Sequence, residues 1–146
     1  MAVYSRILLA VDFTPAMDAV ARKALDLGRA FKAPLSLVHV VEFVPLDLSN
    51  DLIMPQEVEI DQGLVEMARQ RLQSLGEKLG VDQSACFVCQ GSTRHEILQL
   101  ARERDVDLIV IGSHGRQGIQ RLLGSTANAV LHGAPCDVLA VRIKDK

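Results

Sequence analysis

Five short apolar runs, separated by stretches whose apolar residues recur at helical spacing, constrain this chain more than any other feature. Ile7 to Val11 (ILLAV), Pro34 to Val41 (PLSLVHVV), Cys86 to Cys89 (CFVC), Leu108 to Ile111 (LIVI) and Asp137 to Ile143 (DVLAVRI) are too short for helices. Their nearly continuous apolar character is what strands covered on both faces require. Thr14 offers an N-cap with Pro15 at the first helical position, and Met17, Val20, Ala21, Ala24, Gly28 and Phe31 line one face of a helix over 15–31. Ile60, Leu64, Met67, Leu72, Leu75 and Leu79 trace a second helical face, stopped by Gly80, after a polar loop over 42–55. Thr93 and Glu96 have capping-box spacing ahead of Ile97, Leu100 and Ala101, which starts a third helix. Ala127, Val130 and Leu131 point inward on a short fourth helix ending at Gly133, with Pro135 beyond it.

The resulting βαβαβαβαβ order predicts an α/β fold: a doubly wound open sheet of parallel strands, with helices on both faces and right-handed crossovers. At 146 residues the chain suits a single domain over 1–146, burying roughly two-thirds of its unfolded surface. In such sheets ligands bind beyond the carboxyl ends of the strands, where strand order reverses, so the loops after the first and fourth strands are where a site is expected.

Composition narrows the partners. Sixteen basic against eighteen acidic residues give a net charge of -2, and no Lys/Arg cluster marks a nucleic-acid footprint. No apolar stretch approaches a membrane span, and Ile7 to Val11 is broken by Asp12, unlike a signal peptide. The expectation is therefore no nucleic acid, no membrane and a cytoplasmic address. Three cysteines, an odd number, argue against a disulfide framework. Cys86 and Cys89 form a CxxC, but zinc sites need four clustered ligands and no second pair appears. In a strand these two residues point to opposite faces, so buried apolar cysteines are the better reading.

The segment GSHGRQGIQRLLGST has glycines at 112, 115, 118 and 124, follows a buried strand, and runs into a helix at Ser125 and Thr126. Glycine lets backbone N–H groups approach an anion without a Cβ clash, and a helix N-terminus adds unpaired donors and a positive dipole end. The pattern suits phosphate; a crossover whose glycines serve only as turns is the alternative. Two better-known phosphate motifs are absent: no GxxxxGK[ST] occurs, and no GxGxxG follows the first strand.

The pattern Gly112-x2-Gly115-x8-Gly124-Ser125 after LIVI resembles the ATP-binding signature of universal stress proteins. The openings ILLAVDFT and SLVHV, the run DLIVIGSHGR and the ending APCDVLAVR follow that family's order over nearly the whole chain. The spacing departs by one residue, since the family's usual signature has nine residues between the second and third glycines and this chain has eight. The resemblance implies strand order 3-2-1-4-5, ATP with Mg²⁺ between the loops after strands one and four, and a homodimer through the C-terminal strand Asp137 to Ile143. It places adenine and ribose contacts on Ala10, Val11, Asp12, Val40 and Ile111, and phosphate contacts on Gly112, Gly115, Gly124, Ser125 and Thr126.

Asp12 could instead satisfy backbone donors at the start of the first helix, as Ser125 and Thr126 could cap the last. Arg116 and Arg121 could counter phosphate charge or simply be solvated. His114 could donate to phosphate or be an exposed loop histidine. His39, His95 and His132 lack the spacing of a helical metal pair. Three function classes follow: an ATP-binding regulatory protein, a slow ATPase or phosphotransferase, and a nucleotide-free dimeric interaction module. Efficient phosphoryl transfer needs a positioned nucleophile and strong charge neutralisation, and no Lys-plus-Asp machinery, HxGH or SGGxDS signature is present. The retained glycines speak against the nucleotide-free module, so ATP binding as a regulatory signal leads.

Overall fold

The computed structural model describes residues 3–42, 62–113 and 124–142. The five apolar runs become β1 (Ile7–Ala10), β2 (Leu35–Glu42), β3 (Cys86–Gly91), β4 (Leu108–Gly112) and β5 (Asp137–Val141). They form one sheet in the order β3-β2-β1-β4-β5. Every pairing is parallel, with Ile7 opposite Leu35 on one side and Leu108 on the other. Among the described residues four α-helices, α1 (Met17–Phe31), α2 (Gln62–Leu79), α3 (Thr93–Glu103) and α4 (Ser125–Gly133), and a short 3-10 turn (Gln83–Ala85) lie between them.

Because strand side chains alternate, the β1 run splits between two cores. Ile7, Leu9 and Val11 join Leu37, Val110, the α1 residues Met17, Val20, Ala21 and Ala24, and Leu72 of α2. Leu8 and Ala10 join Val38, Val40, Ile109, Ile111 and residues of α3 and α4 on the opposite face. The CxxC divides in the same way, with Cys86 packed on the first core and Cys89 on the second, each half-buried rather than fully enclosed. Burial pushes both thiols above the ordinary value, with neighbouring carboxylates adding to the shift.

Helix boundaries show where local chemistry overrides pattern. The first helix begins at Met17, not Pro15, and has no side-chain cap. Thr14 lies two residues before the Ala16 cap position, and its hydroxyl is turned back to donate to Asp12 Oδ1 at 2.8 Å. The cap of α3 is Ser92, one residue before the expected Thr93; its side chain accepts from the His95 amide at 3.4 Å. Lys32 and Asp105 end α1 and α3 in the left-handed region at φ 54° and 53°. There the amides of Ala33 and Val106 return to Gly28 and Ala101 carbonyls, a Schellman closure made without glycine. Gly80 does end α2 as expected, with φ 74°.

The inward face of α2 is rotated from the expected one. Val65, Ala68, Leu72 and Gly76 are buried, whereas Leu64 and Met67 are exposed. Small residues face the sheet because the helix comes close to β3: a Cβ on Gly76 would lie 2.8 Å from Cys86 Sγ. Leu131 of α4 is likewise exposed. Gly133 is the last residue of α4 and not a left-handed stop; its missing side chain leaves room for Leu98 Cδ1, which would lie 2.8 Å from a Cβ. Among the described residues no helix is long and apolar enough to cross a membrane.

Candidate functional site

Strand order reverses at β1, whose neighbours β2 and β4 are reached by chain segments that leave in opposite directions. The loops after β1 and β4 therefore diverge and leave a crevice beyond the carboxyl ends of these strands. Ala10, Val11, Val40 and Ile111 reach this end but send their side chains into the cores, with exposures of 5 to 8%. What they can offer a ligand is mainly backbone.

Asp12 is half-buried at the tip of β1. Its Oδ1 accepts the Thr14 amide at 3.0 Å and the Thr14 hydroxyl at 2.8 Å. This Asx-type turn fixes the carboxylate, and Oδ2 accepts no hydrogen bond among the described residues. The helix-start role expected as an alternative is thus partly realised through Thr14.

On the other side of the crevice Gly112 closes β4 opposite Val141. Ser113, buried, donates its amide to the Val141 carbonyl at 2.8 Å and accepts the Gly124 amide at 2.6 Å. Ser113 thus ties β4, β5 and the start of α4 together; nothing in the sequence pattern singles it out. Gly124 sits at φ -61°, ψ 159°, open to any residue, and gives α4 no side-chain cap. Its carbonyl accepts the Asn128 amide. With the Gly124 amide used by Ser113, the donors that helix geometry leaves without an intrahelical acceptor are those of Ser125, Thr126 and Ala127. Three aligned amides and the dipole's positive end suit an anion. His114, Gly115, Arg116, Gly118 and Arg121 lie outside the described residues.

A third feature borders Asp12. Phe13 adopts φ 56°, a conformation costing a bulky residue about 1 to 2 kcal/mol. Its ring meets the tilted His39 ring, centroids 4.3 Å apart, and the Arg71 guanidinium lies 4.4 Å from its centroid. Such contacts contribute about 0.5 to 1.5 kcal/mol for the ring pair and about 0.5 to 1 kcal/mol for an exposed cation over a ring, enough to offset the strain. His39 Nδ1 donates to the Val11 carbonyl at 2.6 Å, which fixes the proton on that nitrogen. The sequence sign of this contact is His39 set within the apolar run 37–41 of β2.

Among the described residues no group of three His, Cys, Asp or Glu is placed to hold a metal ion. A recess of about 370 Å³, lined by residues including Arg6, Ser36, Phe87 and Arg104, opens at the amino ends of the strands, away from the crevice. Its charges are largely engaged already, Arg6 with Asp105 at 3.8 Å and Arg104 over the Phe87 ring at 4.6 Å.

A single sheet of five parallel strands ordered 3-2-1-4-5 with helices on both faces defines a doubly wound α/β protein whose ligand crevice is expected at the switch point. The chain belongs to the universal stress protein family, whose model matches residues 3–142. It is 42% identical over 142 residues to universal stress protein A homolog 2 of Coxiella burnetii (strain RSA 493 / Nine Mile phase I), covering 97% of each chain. Hypothetical protein MJ0577 superimposes with a TM-score of 0.80 at 23% identity, covering 99% of this chain and 100% of that one. A universal stress protein solved in complex with cAMP superimposes with a TM-score of 0.65 at 22% identity, covering 97% and 98%.

Proposed function

We propose that this universal stress protein is a regulatory protein that binds ATP in the crevice between the β1 and β4 loops. The observation that carries the reading is a pair of unused groups flanking the switch point. Among the described residues Asp12 Oδ2 accepts no hydrogen bond, and α4 begins with no side-chain cap over its first amides. A ribose hydroxyl would donate to Asp12, and the phosphates would accept from Ser125, Thr126 and Ala127, with Gly112, Gly115, Arg116 and Gly124 along the connecting segment. Backbone at Ala10, Val11, Val40 and Ile111 would border the base. A structural neighbour in complex with cAMP supports an adenine nucleotide. Mg²⁺ would be held chiefly through the phosphates, which suits a cation that keeps most of its water.

Assembly and location belong to the same reading. The Val141 carbonyl accepts the Ser113 amide, so Val141 faces β4, and by strand alternation Val138 and Ala140 turn their backbone groups to the outer edge. That edge would pair with its own copy in a twofold dimer. Three unpaired, half-buried thiols suit the reducing cytoplasm.

The test begins with mass spectrometry of nucleotide released from protein purified without added ligand, followed by calorimetric titration with ATP, ADP, AMP and cAMP. Asp12→Ala and Gly124→Val should each weaken ATP by about tenfold or more, the loss of one charge-assisted hydrogen bond. Gly124 has an ordinary φ, so Val there acts by filling space before the helix rather than by straining the backbone. Unchanged affinity in both folded variants would remove this site, and failure of the unmodified protein to bind any of the four nucleotides would favour the interaction module.

A further inference from the structure

The β1–α1 turn contains a residue whose conformation is unexplained by its local sequence. Three non-glycine residues have positive φ among those described, and two of them, Lys32 and Asp105, close helices. Phe13 closes none; it follows Asp12 directly, and its ring contacts both His39 of β2 and Arg71 of α2. We infer that Phe13 is a positioning residue for the nucleotide crevice: the Arg71–Phe13–His39 stack holds the left-handed turn that aims the Asp12 carboxylate. The inference rests on the nucleotide reading and deepens it.

The connections run through specific atoms. Val11, one residue before Asp12, is tied to β2 twice, its amide donating to the Val38 carbonyl at 2.8 Å and its carbonyl accepting from His39 Nδ1 at 2.6 Å. Thr14, one residue after Phe13, donates twice to Asp12 Oδ1. Phe13 is the hinge between these anchored residues, and its ring is the part of it that touches other elements. Without the ring the turn can sample other φ values, and Asp12 then faces the crevice for only a fraction of the time. Binding weakens in proportion to that fraction, since apparent affinity scales with the population of the competent state.

Phe13→Gly separates ring from backbone, because glycine adopts φ 56° freely while losing both stacking contacts. The expected result is a folded protein with ATP affinity lowered about tenfold, as when the competent turn falls to roughly a tenth of the population. Amide hydrogen exchange at Thr14 and Val11 in the nucleotide-free protein should speed up, while the core strands keep their protection. Phe13→Tyr, which keeps the ring, should restore affinity to within about twofold. Arg71→Met, at an exposed position, should move both readouts in the same direction as Phe13→Gly and guards against a folding defect in the latter.

Unchanged ATP affinity in folded Phe13→Gly would overturn the inference while leaving the nucleotide site standing. Weaker binding with unaltered exchange would overturn it in favour of direct contact between the ring and the nucleotide. If the unmodified protein binds no nucleotide, the functional reading falls first and this inference falls with it.

Discussion

The close approach of α2 to β3 makes a sign-changing prediction about a helical glycine. Replacing Gly by Ala within a helix ordinarily stabilises by about 0.5 to 1 kcal/mol. At Gly76 the new Cβ would stand 2.8 Å from Cys86 Sγ and 3.3 Å from the Val81 carbonyl oxygen. Neither atom yields easily: Sγ has one torsion and lies 3.6 Å from the Asp82 carbonyl, and the Val81 segment is held by its amide's bond to Gly76. Overpacking of this kind costs about 1 to 3 kcal/mol, so Gly76→Ala should be net destabilising by about 0.5 to 2 kcal/mol. For a chain of 146 residues each kcal/mol lowers Tm by about 3 to 4 °C. Cys86→Ala removes the nearer atom, and in that background Gly76→Ala should be close to neutral or slightly stabilising. Urea titration of the four proteins at one fixed concentration, with m held common, measures a coupling expected at about 1 to 2 kcal/mol. Additivity within about 0.5 kcal/mol would refute the contact as the reason for the glycine.

Acid should act on the amino end of the sheet. Partial burial raises the Asp107 pKa, but amide bonds from Ser5 and Arg6 and the Ser5 hydroxyl outweigh it and hold the carboxyl below its ordinary 3.8. A depressed folded pKa gives stability that is present above the unfolded value and lost as pH falls through the folded one. Asp107→Asn should therefore lower Tm at neutral pH and flatten the decline below about pH 4; an unaltered acid limb would count against this anchor. For assembly, Val138→Pro removes an amide that points away from β4, so it should convert the proposed dimer to a folded monomer by light scattering. A unmodified protein already monomeric at high micromolar concentration would dispose of the β5 interface.

Element order was legible because it depends on whole apolar runs of four or more residues rather than on single positions. The buried face of α1 (Met17, Val20, Ala21, Ala24 and Gly28) is the face its spacing predicts. In α2 the same reasoning misplaced Leu64 and Met67, because large apolar residues were assigned inward. The sheet instead receives Ala68 and Gly76, and distance to β3 is not written in helical periodicity. Caps failed by one or two residues for a related reason: Thr14 and Thr93 have capping chemistry, but their neighbours Asp12 and Ser92 decide how it is used. Of the candidate site, position in the sequence alone puts Asp12 after β1 and Gly112 and Gly124 between β4 and α4, while 114–123 lie outside the described residues. The stack on Phe13 could not be found that way, since residues 13, 39 and 71 meet only after three elements have packed.

Among the described residues, the two ends of the sheet differ in how far the protein satisfies its own polar groups, and this difference supports the candidate site on grounds separate from any relative. At the amino end Asp107 uses both carboxylate oxygens on Ser5 and Arg6, and Tyr4 donates to Asp137 at 2.8 Å. At the carboxyl end Asp12 uses one oxygen, and the helices that follow β1 and β4 both start without a side-chain cap. The helix that follows β3 is capped by Ser92. Among the described α-helices whose cap residue is described, the two without a side-chain cap are the two that border the switch point. A cap at either would stabilise its helix by about 1 kcal/mol. A side chain occupying the α4 start would also cover the donors an anion needs, so forgoing that stabilisation is the arrangement expected where a ligand completes the hydrogen bonding.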